Sequence, residues 1–323
     1  MTVPTATFQV FTAIGNREDL ENLIYNISPT ETPFMSMAGR GNAKAVFHEW
    51  QTDALTAAVA TNAAIEGDDA TNITVTPTIR VGNYAQIAQK AFGISGTQEA
   101  VDHAGRNSEI AYQLVKFGKT LKRDMESQLT QNKASNAGGA GSARVSGSLE
   151  SWLSTNFTSL GSGGSPSSSG FQSGIVQAPV DNSVQGTVTE AGMKAIIRQC
   201  WNSGGSPDTI MVGGFNKTKA SAFTGIATQF NDVTGRSPAT IMAAADVYVS
   251  DFGKHRIIPN RFTRDRTMFV LDMDYWALAY LRTMRQWTLA KTGDAERRQI
   301  LCEYTLVSKN EAASGKVTDL TTS

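Results

Sequence analysis

The longest periodic pattern in the chain runs over residues 108–133. Ile110, Leu114, Leu121, Met125 and Leu129 follow at steps of 4, 7, 4 and 4, one stripe of an amphipathic helix. Asn107 or Ser108 can cap it. At 26 residues and about 1.5 Å per residue the helix spans roughly 39 Å. Its other face carries Arg106, Lys116, Lys119, Lys122 and Arg123 with Glu109, Asp124 and Glu126. A shorter helix is predicted from Leu20, Leu23, Ile24 and Ile27, ended by Pro29. A third follows a Thr187-x-x-Glu190 capping box, with Met193, Ile196, Ile197, Cys200 and Trp201 on one face and Gly204 as terminator. A fourth is predicted over Phe215–Thr224.

The period of two marks the strands. Residues 45–52 and 73–87 read as two long ones, the second alternating Ile73, Val75, Ile79 and Val81 with Thr74, Thr76, Thr78 and Arg80. Pro77 removes a ladder donor and assigns this strand to an edge or a protruding ribbon. Residues 209–213 and 268–273 are short strands, and 247–259 a hairpin turning near Asp251–Gly253. Two further strands close the chain; in the last, Ile300, Cys302, Tyr304 and Leu306 alternate with Leu301, Glu303, Thr305 and Val307. Helices and strands in this order make an α+β fold. Residues 1–15 have no periodicity and read as an extended arm. Residues 135–175 hold Ser or Gly at 22 of 41 positions, which predicts a flexible connection or surface insertion, although Trp152, Leu153, Phe157 and Phe171 can pack.

Charge sharpens this outline. The 29 Lys and Arg balance the 29 Asp and Glu, so the chain lacks the basic excess of a general nucleic-acid or membrane-surface binder. Charged residues are 18% of the chain, below the usual value of about 25%, and a sparsely charged surface favours association. Resolved along the chain, the balance breaks. Residues 51–79 contain Asp53, Glu66, Asp68 and Asp69 and no Lys or Arg, a local charge of −4. Residues 254–266 carry a local +4, from Lys254, Arg256, Arg261, Arg264 and Arg266 against Asp265, and are expected to form a charged surface between subunits.

Candidate chemistry is sparse. His48, His103 and His255 lie in separate elements, and neither H-E-x-x-H, C-x-x-C, a phosphate loop nor a G-x-S-x-G elbow occurs. Cys200 and Cys302 are expected to be reduced, packed thiols. Asp251, Asp272 and Asp274 could form a carboxylate site, yet Asp favours turns and strand ends. The N-terminus has neither the basic nor the apolar region of a secretory signal, and no run approaches a spanning length. No catalytic residue, cofactor or metal is expected. What remains is architectural: an arm, an acidic ribbon, a long helix and an α+β unit, parts that reach over neighbours in an assembly.

Three stretches, NREDLENLIYNISPTETPF, VSDFGKHRIIPNR and LAKTGDAERRQILCEYTLVSKNEAA, together with the element order, resemble the major capsid proteins of tailed bacteriophages with the Hong Kong 97-type fold. The resemblance covers the chain apart from the Ser/Gly stretch. It implies an N-terminal arm over 1–44, an extended β-hairpin loop over 45–90 and a peripheral domain over 91–185 containing the spine helix. An axial domain follows over 186–270, and return strands of the peripheral domain over 271–323. It implies a virion shell of many copies, as pentamers and hexamers, assembled in the host cytoplasm around double-stranded DNA that is contacted non-specifically on the inner face. A portal and room for a cement protein come with it. The arm begins almost at Met1, so a separate scaffolding protein is expected. No Lys occurs between Lys44 and Lys90, so the shell is expected to be non-covalent.

The acidic loop is then expected to rest on a basic surface of an adjacent copy. The candidates are Lys116, Lys119, Lys122 and Arg123 on the spine, and Arg282, Arg285, Arg297 and Arg298 on the return strands. The alternatives are an encapsulin-like compartment and a soluble hydrolase using the carboxylates named above.

Overall fold

The computed structural model describes residues 28–69, 72–162, 169–223 and 247–322. The arm at 1–15 and the helix at Leu20–Ile27 lie outside the described residues, as does Thr224 at the end of the fourth predicted helix. In chain order the first elements are α1 (Pro33–Met37), β1 (Gly39–Asn42), β2 (Phe47–Thr52), β3 (Ile79–Tyr84), β4 (Gln86–Ser95), α2 (Gly96–Ala100), α3 (Glu109–Thr130) and α4 (Leu149–Trp152). Next come β5 (Phe157–Ser159), β6 (Gly170–Gln172), β7 (Ile175–Gln177), α5 (Glu190–Asn202), β8 (Thr209–Val212) and α6 (Gly214–Ser221). The chain continues through β9 (Val247–Ser250), β10 (Gly253–Pro259), β11 (Met268–Leu271), β12 (Trp276–Thr288), β13 (Ala295–Ser308) and β14 (Gly315–Thr318). One sheet has the order β1-β12-β13-β4, the other β5-β14-β11-β8-β10-β9, and β2–β3 and β6–β7 are separate two-stranded ribbons.

The stripe read from the sequence is the buried face of α3. Leu121, Met125 and Leu129 are buried against Leu278, Ile300, Cys302, Tyr304 and Leu306 of the four-stranded sheet, with Leu114 packed at the margin. Each fully buried Leu or Met contributes about 1.5–3 kcal/mol. The helix is shorter than the pattern, 22 residues, or roughly 33 Å. Ser108 caps it, accepting from Ala111 N at 3.2 Å. Glu99 of α2 reinforces that end, accepting from the Ser108 hydroxyl (2.7 Å) and the Glu109 and Ile110 amides (3.1 and 3.2 Å).

The six-stranded sheet is covered on both faces. Met211, Phe269 and Leu271 point into the core shared with α3. Ile210, Val212 and Val270 point the other way, against Met193, Ile196, Ile197 and Cys200 of α5. Burial on both faces is why β8 and β11 read as continuous apolar runs. Cys200 and Cys302 are free and buried, and burial pushes their thiols up to about 12 and about 11.

Several expectations need correction. The third helix starts at Glu190 with Thr189 as its cap, not at Thr187. Gly186 is held extended against the C-terminal segment, donating to Asp319 O (2.8 Å) and accepting from Thr321 N (2.9 Å), so no turn can begin there. Gly204 does close it, at φ +88°. Part of the Ser/Gly stretch is interior rather than a flexible surface insertion: residues 146–153 are buried, while 139–143 stay exposed. Leu149, Trp152 and Leu153 are buried, and the hydroxyls of Ser148 and Ser151 satisfy Lys133 O (3.3 and 2.7 Å). Small residues permit this closeness; a Cβ at Gly147 would stand 2.7 Å from the Val176 side chain. The boundary at 90 falls inside β4. Residues 271–323 do not stay in one sheet, because β14 crosses to the six-stranded sheet and pairs there with β5.

Candidate assembly surfaces

The ribbon β2–β3 is pinned at its base and free beyond it. Its register runs from Phe47↔Tyr84 to Thr52↔Ile79. Trp50 donates Nε1 to Ser308 O at 2.7 Å and lies 5.4 Å from the Trp152 ring. Asn83 is fully buried: Nδ2 donates to Leu306 O (2.9 Å), Gly147 O (3.2 Å) and Ser146 Oγ (3.1 Å), while Oδ1 accepts from Gly147 N (2.8 Å). Gly82 lets Phe47 close over the ribbon, since a Cβ there would meet its ring at 2.7 Å.

Beyond Thr52 the described chain has no ladder until Ile79, which overturns the strand expected over 73–78. The alternation is present, but no strand of this chain lies beside it among the described residues. Leu55 is 100% exposed, Ile73 86% and Val75 88%. The acids sit among them. Asp68 N donates to Ile65 O at 3.1 Å in a turn with Gly67 at φ +83°, and the Asp53 and Asp68 carboxylates accept from the next amide, Ala54 and Asp69. Asp53, Glu66, Asp68 and Asp69 make no ion pair among the described residues. A segment this apolar and this uncovered is the mark of an interaction site.

The basic candidates divide. Lys116, Lys119 and Lys122 are exposed along α3, and Arg285 and Arg297 are exposed on β12 and β13, without ion pairs among the described residues. The other three are engaged within the subunit. Arg123 lies 5.4 Å above the Phe262 ring, Arg282 pairs with Glu303 (2.8 Å), and Arg298 pairs with Glu296. The basic stretch 254–266 divides too: Lys254, Arg256 and Arg261 are exposed, whereas Arg264 and Arg266 are engaged within the subunit. Arg256 faces Asp208 (3.5 Å); Arg264 bridges Glu150 (3.2 Å) and Asp181; Arg266 reaches Asp181 (3.6 Å) and Asp319 (3.5 Å). Lys316, fully buried beside this node, donates to Glu150 O at 2.7 Å, and burial lowers its ammonium to about 8.

Two residues placed on the exposed face of α3 by the pattern are buried: Glu109 and Glu126. Glu126 is the more telling. Its carboxylate accepts from Phe34 N (2.8 Å), Met35 N (2.9 Å) and Asn260 Nδ2 (2.6 Å), which caps α1 and ties the end of the arm and the segment after β10 to the spine. Burial raises its pKa, against the lowering by those donors. Nothing in the local sequence marks this; the partners lie about 90 and 134 residues away.

The carboxylates weighed for catalysis are apart in role. Asp251 is in the hairpin turn, and Asp272 accepts from Ser206 N (3.1 Å) and Asp274 N (3.3 Å). His255 is buried between Ser250 Oγ and Pro207 O, both at 2.7 Å. Among the described residues, no group of three or more His, Cys, Asp or Glu could hold a metal, and no helix is long and apolar enough to cross a membrane.

Sheets, spine and pinned ribbon together are the plan of a shell subunit, and the sequence profile of the SU10 major capsid proteins matches residues 3–321. The chain belongs to this family. The major capsid protein of Escherichia phage Phieco32 is 27% identical over 93% of each chain. Among solved structures, the fold is that of the cyanophage A-1(L) capsid asymmetric unit, with TM-score 0.65 at 12% identity over 95% of this chain and 98% of that one. The capsid of the native GTA particle gives 0.61 at 11% identity over 97% of both. This is the Hong Kong 97-type α+β fold. The chain is thus the major capsid protein of a tailed phage, a virion component that forms the head shell from many copies of itself; it is not an enzyme.

Proposed function

We propose that the shell is closed by non-covalent contacts between copies grouped as pentamers and hexamers. In it the acidic loop of each copy lies on basic side chains of the next: Lys116, Lys119, Lys122, Arg285 and Arg297. The observation that carries this is the loop itself, four acids and the exposed Leu55, Ile73 and Val75 with no cover among the described residues. Arg123, Arg282 and Arg298 take no part, because they are occupied within the subunit. The return strands and spine form the peripheral part of the subunit, and α5, α6 and the six-stranded sheet its main axial part. A separate scaffolding protein, a portal and packaged double-stranded DNA complete the head, which leaves room for a cement protein and is assembled in the host cytoplasm. The absence of Lys over 45–89 supports a shell without loop-lysine cross-links.

The test is to change Glu66, Asp68 and Asp69 to Ser and compare shells. Exposed ion pairs are worth about 0–1 kcal/mol each, but every copy repeats them, so the variant shells should dissociate at lower salt and temperature. Shells that assemble and persist unchanged would sink the electrostatic reading. Boiled particles should run as a single monomer band; covalent ladders would overturn the non-covalent shell. The encapsulin-like alternative shares the fold, and the match to phage capsid proteins favours the virion.

A further inference from the structure

The outer edge of the four-stranded sheet is only half used. β1 runs parallel to β12 from Gly39↔Ala277 to Asn42↔Tyr280, and Ala43 N donates to Tyr280 O at 3.0 Å. There the arm leaves the edge. β12 continues to Thr288, and its other neighbour β13 lies on the opposite side, so residues 281–288 have no outer ladder partner among the described residues. The register with β13 shifts near Arg282 and is regular again from Arg285↔Leu301 to Thr288↔Arg298, which leaves a straight free edge at Arg285–Thr288. A groove of about 540 Å³ follows this edge, lined among others by Leu281, Thr283, Arg285, half-exposed Trp287 and Leu301. Unpaired edges are templates for an added strand.

The same chain carries a strand without a ladder. Ile73-Thr74-Val75-Thr76-Pro77-Thr78 is rich in β-branched residues, alternates with period two, and is exposed throughout. We propose that residues 73–78 of one copy add as a strand to the free β12 edge of a second copy. The inference rests on the reading that the loop contacts another copy, and it specifies how. In a strand, alternate residues turn their main-chain groups to opposite sides. Pro77 has no N–H, so its side must face outward. Ile73 and Val75 share that side, and Thr74, Thr76 and Thr78 bond to β12. Trp287 and Leu281, on the same face as Arg285, offer apolar cover to Val75 and Ile73.

The experiment uses the full chain assembled into shells. Cys200 and Cys302 are buried, so introduced thiols dominate cross-linking. Val75→Cys is combined once with Arg285→Cys on the edge and once with Lys119→Cys on the spine. Expected are disulfide-linked multimers for the edge pair, in shells and not in free subunits, and slowed amide exchange at Thr74, Thr76 and Thr78 but not at Ile73 and Val75. As a second arm, Thr76→Pro should raise the concentration needed for assembly about tenfold, the loss of one ladder bond, and Val75→Pro far less. Multimers with the spine pair alone would overturn strand addition while leaving the loop contact standing. Multimers with neither pair would overturn both. Equal effects of the two proline variants would also defeat the proposal.

Discussion

The acidic loop and the node around Arg264 are both charged and use that charge in opposite ways: four acids stand alone in the loop, while three acids meet three bases in the node. The node gathers Glu150, Asp181 and Asp319 with Arg264, Arg266 and Lys316; Glu150, Asp319 and Lys316 are buried, the other three half-buried, and ion pairs or hydrogen bonds join them. It ties α4, the segment after β7, the turn before β11 and the C-terminal segment into one body. The loop gathers Asp53, Glu66, Asp68 and Asp69, exposed and without an ion pair among the described residues. A charge taken out of water must be matched inside the subunit or it costs several kcal/mol. An exposed charge costs nothing to keep, and remains available to a partner. The node therefore serves the fold, and the loop is left for the shell.

The contrast can be broken at the node first. Arg264→Met should leave Glu150 and Asp181 without their shared cation and destabilise the unassembled subunit by about 3–5 kcal/mol, the usual cost of breaking a buried pair. Denaturant unfolding measures it. A loss under 1 kcal/mol would mean that the node is solvated and no different from the loop.

Glu126 is a second buried case, satisfied by amides instead of a cation. Glu126→Ala should cost about 2 kcal/mol, because it strips the cap of α1 and leaves buried donors unmet. Its pKa is raised by burial. A carboxylate raised in the fold contributes stability below the ordinary glutamate range, and that contribution fades as pH rises through the raised value. The unfolding free energy of the native chain relative to Glu126→Gln should therefore fall as pH rises from that range toward neutrality. A flat difference would refute the assignment.

At the loop the expected change in the isolated subunit is smallest. Replacing Glu66, Asp68 and Asp69 with Ser should alter its unfolding by less than about 0.5 kcal/mol, as for other surface changes, while shells lose salt and heat resistance. Arg285→Ala should behave the same way, silent in the subunit and visible in the shell. Arg282→Ala should instead weaken the subunit itself, since Glu303 is buried beneath Arg282 and keeps only Arg144.

Much of the scaffold was legible along the chain. The stripe on α3, the continuous apolar runs of β8 and β11, the alternation in β13 and the hairpin near Asp251–Gly253 all follow from periods of 3.6 and 2. The acidic loop was legible from charge alone. Glu126 was not, because a Glu on a charged helix face looks the same whether it meets water or the amides of Phe34 and Met35. Nor was the burial of residues 146–151 within the Ser/Gly stretch, whose composition reads as solvated although Asn83, Lys133 and Val176 surround that part. Thr187 lost the cap to Thr189 because a strand-like contact with the C-terminal segment, 133 residues on by the pairing Gly186–Asp319, holds the preceding backbone straight.

The sequence by itself determined the local elements, the family phrases and the concentration of negative charge in one ribbon, since each depends on neighbours in the chain. Tertiary structure alone decided which charges were free. Arg123, Arg264, Arg282 and Lys119 are alike as letters, and only folding puts Phe262, Glu150 and Glu303 against the first three and water against the last. It also decided that the alternating pattern at 73–78 forms no ladder among the described residues of its own subunit. A strand needs a second strand about 4.8 Å away, and period two in a sequence says nothing about where that second strand lies.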